Sequence, residues 1–202
     1  MKRIKMSLIA AALAASPAAF ADTSNFTGLS AGLNLNLITG GVKVSVDGES
    51  FDGIGGKQTE SASLDFAYGF AIGSTNVLNV GIDIDLSEPK IYEQNATDAN
   101  TSAKQKNRYG VYVAPGITVG KDTLVYGKLG YNRFKGEIVL EGTAGSTSFT
   151  GVSYGAGAKV MLSKNMFMRI EANRQTYSSK TLLGVAFKPS ATVGTIGLGM
   201  KF

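Results

Sequence analysis

The 202-residue chain contains no cysteine, no histidine and no tryptophan. Without cysteine there are no disulfides, no thiolate nucleophiles and no cysteine metal ligands. Without histidine the commonest general base and the commonest metal ligand are both missing. Proline is scarce at 4 residues, against 26 glycines. Glycine without a collagen period suits tight turns and crowded interiors. A large excess of either charge is also lacking. The formal net charge is +5, but Lys2, Arg3 and Lys5 fall in a segment expected to be removed. The remainder carries 17 basic and 15 acidic residues, a balance of +2 that gives no electrostatic case for nucleic-acid binding.

The start of the chain reads as an export signal. Met1–Met6 carries three positive charges, Ser7–Ala15 is an apolar run of nine residues, Pro17 interrupts it, and Ala19-Phe20-Ala21 supplies a small-x-small cleavage pattern. The run is too short to span a bilayer as a helix. The expected cut lies between Ala21 and Asp22. Residues 1–21 are then a cleaved signal peptide and residues 22–202 a single mature domain.

After residue 21 no segment offers about 20 consecutive apolar residues, so no transmembrane helix is expected. Period-two alternation dominates instead, which is the strand signature. Leu64, Phe66, Tyr68, Phe70 and Ile72 alternate with Asp65, Ala67, Gly69 and Ala71; beyond a turn near residue 74, Leu78, Val80, Ile82, Ile84 and Leu86 alternate with Asn79, Gly81, Asp83 and Asp85. Two such runs joined by a short turn form a hairpin. The same grammar gives a first strand from about Phe26 to Val46, and later strands around 109–119, 123–140, 152–162, 168–174 and 192–202. That makes eight strands. Links near 74, 122 and 164 are short; those near 47–58, 88–105, 141–147 and 178–190 are longer, polar and read as loops. Short turns on one rim and long links on the other is the pattern of an outer-membrane barrel, with the short turns and both chain ends periplasmic. The fold expected is all-β: an eight-stranded antiparallel up-and-down transmembrane β-barrel.

Alternation alone does not say which face is inside. In a soluble sandwich the apolar face points inward; in a membrane barrel it meets lipid. Small residues on the other face, such as Gly110, Ala114, Gly155, Gly157, Gly197 and Gly199, are out of place on a solvated surface and fit a narrow interior. Charges share that face: Asp65, Asp83 and Asp85, then Arg108, Lys128, Lys159, Arg169 and Glu171. Buried charges need partners, so these eight residues are expected to form an interior network. Pairing across the turn at 74–75 puts Asp65 opposite or near Asp85, with Lys128 or Arg108 reaching across. Glu171 is expected between Lys159 and Arg169. The competing reading of the three aspartates, a cation site or acid/base cluster, is the weaker one. Pro115 within a strand suggests a bulge at Pro115-Gly116. Phe26, Phe70, Phe167 and Phe202 suit a lower aromatic girdle, and Tyr92, Tyr109, Phe149 and Tyr177 an upper one. Arg133 and Arg174, in lipid-facing parity, belong above the hydrocarbon.

From Asn107 onward the chain resembles the OmpX/Ail group of small outer-membrane barrels. The resemblance rests on Tyr109-Gly110, Pro115-Gly116, Val125-Tyr126-Gly127 with Gly130-Tyr131, Ser153-Tyr154-Gly155-Ala156-Gly157 and the closing Ile196-Gly197-Leu198-Gly199-Met200-Lys201-Phe202. Met168-Arg169-Ile170-Glu171 is similar to a strand of related porin-like barrels. The resemblance implies a monomer with a filled interior, held in outer-membrane lipid. It also implies that the terminal Phe202 is the signal read by the outer-membrane assembly machinery, and that function lies in the extracellular loops: envelope integrity, adhesion or contact with a host or other external ligand. The link at 88–105, with Glu93, Asp98, Lys104 and Lys106, is the candidate interaction loop. A narrow or gated channel is the alternative. A lipid-modifying barrel enzyme, using a pair such as Ser153 and Lys159, is weaker still in a chain without histidine. No cofactor, metal site or nucleic-acid partner is expected.

Overall fold

The computed structural model describes residues 22–46, 49–51, 55–96, 99–140, 143–182 and 185–202. The proposed signal peptide lies outside them. A 3-10 turn at Ser24–Phe26 precedes eleven strands: β1 (Gly28–Val46), β2 (Glu49–Phe51), β3 (Gly55–Ile72), β4 (Asn76–Asp85), β5 (Lys90–Ala96), β6 (Ala99–Val119), β7 (Thr123–Leu140), β8 (Thr143–Met161), β9 (Met166–Tyr177), β10 (Lys180–Leu182) and β11 (Val185–Lys201). Eight of them make the wall, each antiparallel to its neighbours in the order β1, β3, β4, β6, β7, β8, β9, β11. The wall closes where β11 returns to β1, from Ser30 opposite Lys201 to Ser45 opposite Ala186. Closure removes every free edge from the ring, which a sheet in lipid requires because no water is there to satisfy it.

The wall is turned out as the alternation predicts. Leu33, Leu35, Val111, Leu129, Ile170 and Leu198 are each more than half exposed, while Asn34, Asp65, Asn132 and Arg169 are almost fully enclosed. A water-soluble protein would lose the hydrophobic stabilisation of that outer surface; a barrel in acyl chains does not.

At one end the staves are joined by the tight turns Gly73–Thr75, Gly120–Asp122 and Leu162–Asn165. Gly73 and Gly120 take φ of +83° and +69° there, a region glycine enters without a Cβ clash. We call this the turn end. At the other, hairpin end, the links read as loops are largely strand. Residues 90–96 and 99–105 pair as β5 and β6, with Ala96 opposite Ala99, and β7 and β8 run up to Leu140 opposite Thr143. Polar sequence hides these extensions from a reading tuned to apolar alternation, but a neighbouring stave satisfies their backbone groups all the same.

The expected bulge at Pro115 does not form. The rungs Val113–Leu129 and Gly116–Tyr126 belong to one register, so the ladder passes the missing N–H without inserting a residue. The bulge in this strand pair lies higher, between Lys106–Lys135 and Tyr109–Arg133, where β6 advances three residues against two of β7. Asn107, at φ +48°, takes up the difference; asparagine tolerates that conformation better than most residues.

Candidate functional site

The interior is filled from end to end. At the turn end Phe26, Ala67, Val77, Ala114, Leu124, Met161 and Phe167 form an apolar plug. Phe26 and Phe167 therefore leave the predicted lower girdle: both point inward, at 7% and 4% exposure. Phe26 arrives on the 3-10 turn, which Asn25 pins by donating to the Lys121 carbonyl at 2.9 Å. Its seat exists because residue 69 is glycine; a Cβ there would lie 2.1 Å from the Phe26 carbonyl oxygen. Phe149 and Tyr177 leave the upper girdle in the same way and pack inside against Phe134, with ring centroids 5.1 and 4.7 Å from it. Of the predicted girdle residues Phe70, Tyr109 and Phe202 do face outward, joined among the described residues by Phe66, Tyr68, Tyr131 and Tyr154. Tyr92 lies in a stretch whose side chains are outside the described set.

Between the plug and the upper aromatics lie the eight predicted charged residues, four acids and four bases, and so electrically neutral as a group. Asp65 is fully enclosed; Arg169 reaches it at 2.9 Å and the Tyr112 hydroxyl donates to it at 2.7 Å. Arg169 also donates from Nε to Asn34 at 2.9 Å. Glu171 accepts from Lys128 at 3.0 Å, from the Tyr126 hydroxyl at 2.9 Å and from Asn173. Lys128 lies 4.0 Å from Asp83 and stands 4.0 Å above the Tyr112 ring. Arg108 joins Asp83 at 2.8 Å and Asp85 at 2.9 Å, and Gln105 donates to Asp85 at 3.1 Å.

Two details differ from the sequence reading. Asp65 stands opposite Asp83, and Asp85 opposite Ser63, because the three-residue turn Gly73–Thr75 centres the hairpin on residue 74. Glu171 is paired with Lys128, not with Lys159. Lys159 stands beside Arg169 on the ladder, but its ammonium is 3.4 Å from the Asn79 side-chain oxygen and 5.1 Å from the Phe167 ring. Among the described residues it has no carboxylate within salt-bridge distance.

The network also recruits polar groups the sequence reading passed over: Tyr112, Tyr126, Asn34, Asn79, Asn132 and Gln105. All but Gln105 share inward parity with the charges, which was the available signal; Gln105 comes inward only because the bulge at Asn107 reverses the parity above it.

Above the network a cavity of about 30 Å³ is bordered by Asn34, Asn36, Gln105, Arg108, Glu171 and Gln175. That is room for a water molecule or two, not for a solute. The Asn173 carbonyl oxygen and Arg108 Nε, both on its border, have no hydrogen-bond partner among the described residues. A Ser153–Lys159 nucleophile pair is ruled out by distance, since six residues along one strand span roughly 20 Å.

The predicted interaction residues divide. Lys104 and Lys106 lie on β6. Glu93 lies on β5 but its side chain is outside the described set, and Asp98 is outside the described residues altogether. The Lys106 ammonium pairs with Glu137 at 2.7 Å and reaches Glu88 at 3.8 Å. Arg133 and Arg174 are exposed on the outer wall, cross-strand to Tyr109 and Tyr154. Phe202 projects outward at 69% exposure, its N–H bonded to the Leu29 carbonyl at 2.9 Å.

A closed antiparallel barrel with an apolar outer wall and an ion-paired interior defines a transmembrane β-barrel. The family model described as outer membrane protein beta-barrel domain matches residues 7–202, and the chain belongs to that family. Two of the solved structures to which the chain is similar, the first two below, agree on the fold. Neisserial surface protein A superposes with a TM-score of 0.59 at 13% identity, over 87% of this chain and 98% of that one. OprG of Pseudomonas aeruginosa gives 0.50 at 14%, over 87% and 96%. The attachment invasion locus protein Ail of Yersinia pestis gives 0.48 at 19%, over 87% and 99%. No curated protein matches the sequence.

Proposed function

We propose that this chain is a monomeric stand in the outer membrane whose extracellular hairpins meet external partners or support envelope integrity, rather than a conduit or a catalyst. The observation carrying this reading is the contrast between a filled, charge-neutral interior and staves that run on past the lipid-facing band as paired strands. A filled interior leaves no lumen for solutes, whereas rigid strand extensions present side chains and hairpin tips at little entropic cost on binding. The turn end then faces the periplasm together with both termini, after cleavage following Ala21. Phe202, projecting from the closing strand, is the group the assembly machinery would read during insertion.

Deleting residues 91–103 removes most of the β5–β6 hairpin and none of the interior network. The variant is expected to keep its heat-dependent gel mobility and sheet-rich circular dichroism, and to lose attachment of whole cells to host-matrix surfaces. Unchanged attachment would remove the hairpin from this role. The small polar cavity favours one second reading, a narrow water or ion path. Liposome swelling with small sugars and planar-bilayer recording separate the two, since the stand should be silent in both.

A further inference from the structure

The bulge at Asn107 also decides which side chains the outer wall carries above it. By reversing parity above it, it brings Lys104 and Lys106 to the outer wall while Gln105 points in. On the neighbouring stave Arg133 and Lys135 are exposed on that same outer wall. The register sets Lys106 directly opposite Lys135, Lys104 opposite Glu137, and Arg133 opposite Tyr109. Like charges on directly opposed rungs destabilise a sheet. Among the described side chains, four cations here face two carboxylates, Glu137 and Glu88, and only Lys106 is within 4.0 Å of either. The patch begins on the rung of Tyr109 and immediately above Tyr131, outward-facing tyrosines of the kind that settle at a membrane–water interface.

We propose that this outer face of β6 and β7 is a binding site for the phosphate groups of lipid headgroups in the outer leaflet, with Arg133 and Lys135 as its main contacts and Lys104 and Lys106 completing it. An arginine fork matches phosphate oxygens bidentately, and lysine adds point charge. Phosphate between Lys106 and Lys135 also relieves the repulsion that the register imposes. The assignment rests on the orientation proposed above, with the hairpin end outside.

Orientation is checked first and separately. The native chain has no cysteine, so Lys135→Cys gives a single site, which a membrane-impermeant maleimide should label on intact cells. The binding test then uses the purified full barrel in bilayers of zwitterionic phospholipid, with and without a diphosphorylated glycolipid, and reads the temperature at which the gel-mobility shift is lost. The glycolipid should raise it by several degrees, and high salt should erase much of that rise. Arg133→Gln with Lys135→Gln should lose most of the rise, while Lys121→Gln at the turn end keeps it. Glu137→Gln, a second variant that removes a competing carboxylate, should enlarge it. No rise in the wild type, an equal rise in the double variant, or no gain with Glu137→Gln would each overturn the site. An equal rise from dissolved pyrophosphate in zwitterionic bilayers would overturn the lipid assignment in favour of a soluble anion. A labelling failure with the rise intact would overturn the orientation, and with it the outer leaflet as the source of the phosphate, while leaving the anion site itself.

Discussion

The turn end and the hairpin end of this barrel are closed by different means. At the turn end the connections are three or four residues long, glycine takes the strained positions, and a phenylalanine brought by the N-terminal turn fills the bore. At the hairpin end the staves simply continue, their interior passing from paired charges to stacked aromatics and their outer wall from leucine and valine to lysine and arginine. The apolar plug gains by leaving water. The charged section above it gains only while every partner is present, because a buried ion pair contributes little net stability but leaves a costly charge when half of it is removed.

The largest expected effect comes from breaking that dependence. Arg169→Met strips the fully enclosed Asp65 of its cation and leaves it the Tyr112 hydroxyl. A loss of about 3–5 kcal/mol is expected from the cost of an uncompensated buried charge, read as the urea midpoint of refolding in lipid. Lys159→Met makes the same kind of change on the same rung, yet removes an ammonium with no carboxylate partner among the described residues. It should leave stability unchanged or raise it. If the two variants fall equally, pairing is not what distinguishes them.

A middle-sized effect tests the plug. Gly69→Ala places a methyl 2.1 Å from the Phe26 carbonyl oxygen, so the N-terminal turn must shift and Phe26 must lose part of its seat. A cost of about 1–3 kcal/mol is the usual range for overpacking against backbone, with faster proteolysis near residue 26. Gly40→Ala, toward the hairpin end, introduces a Cβ that meets nothing within 4 Å; it should be silent in both measurements. Equal behaviour of the two alanines would mean that the turn is not seated where Gly69 makes room.

How much of this was legible beforehand follows the same division. The wall was readable because lipid imposes a strict period of two: Leu33, Phe66, Ile82, Val111 and Leu198 announce their face without any knowledge of neighbours. The membership of the charge network was readable for the same reason, since Asp65, Asp83 and Glu171 share the other parity. Its pairing was not. Which cation meets Glu171 depends on side-chain reach across the bore, and Lys128 reaches it where Lys159, nearer on the ladder, does not. Which aspartate faces Asp65 depends on a one-residue difference in where the turn is centred. The aromatic residues misled most. Phe26, Phe149, Phe167 and Tyr177 were assigned to a girdle because aromatics favour interfaces, but a small barrel also needs bulk inside. At the hairpin end, polar sequence and the parity reversal at Asn107 concealed strands that only pairing with a neighbour reveals.

The smallest expected effect belongs to the outer wall at the hairpin end, where solvent screens what the bore does not. The hydrogen bond from Lys106, then its charge, then the charges of Lys104 and Lys135 hold the Glu137 carboxyl below its ordinary value of 4.5, and Glu137 in turn raises the Lys106 ammonium above 10.5. The signs follow from which state binds the proton more tightly. A carboxyl depressed in the folded state stabilises it fully above 4.5, and that contribution is lost as pH falls through the lower folded value. An ammonium raised in the folded state stabilises it fully below 10.5, and that contribution is lost as pH rises through the higher one. Between those limits the pair should act as a constant, slight brace on the β6–β7 extension, as exposed ion pairs do. Wild type and Glu137→Gln should therefore differ slightly in thermal midpoint near neutrality and converge in acid, once the pH has fallen below the folded value and the carboxyl is protonated in both states. A difference that persisted undiminished in acid would place the effect of residue 137 in packing rather than in its charge.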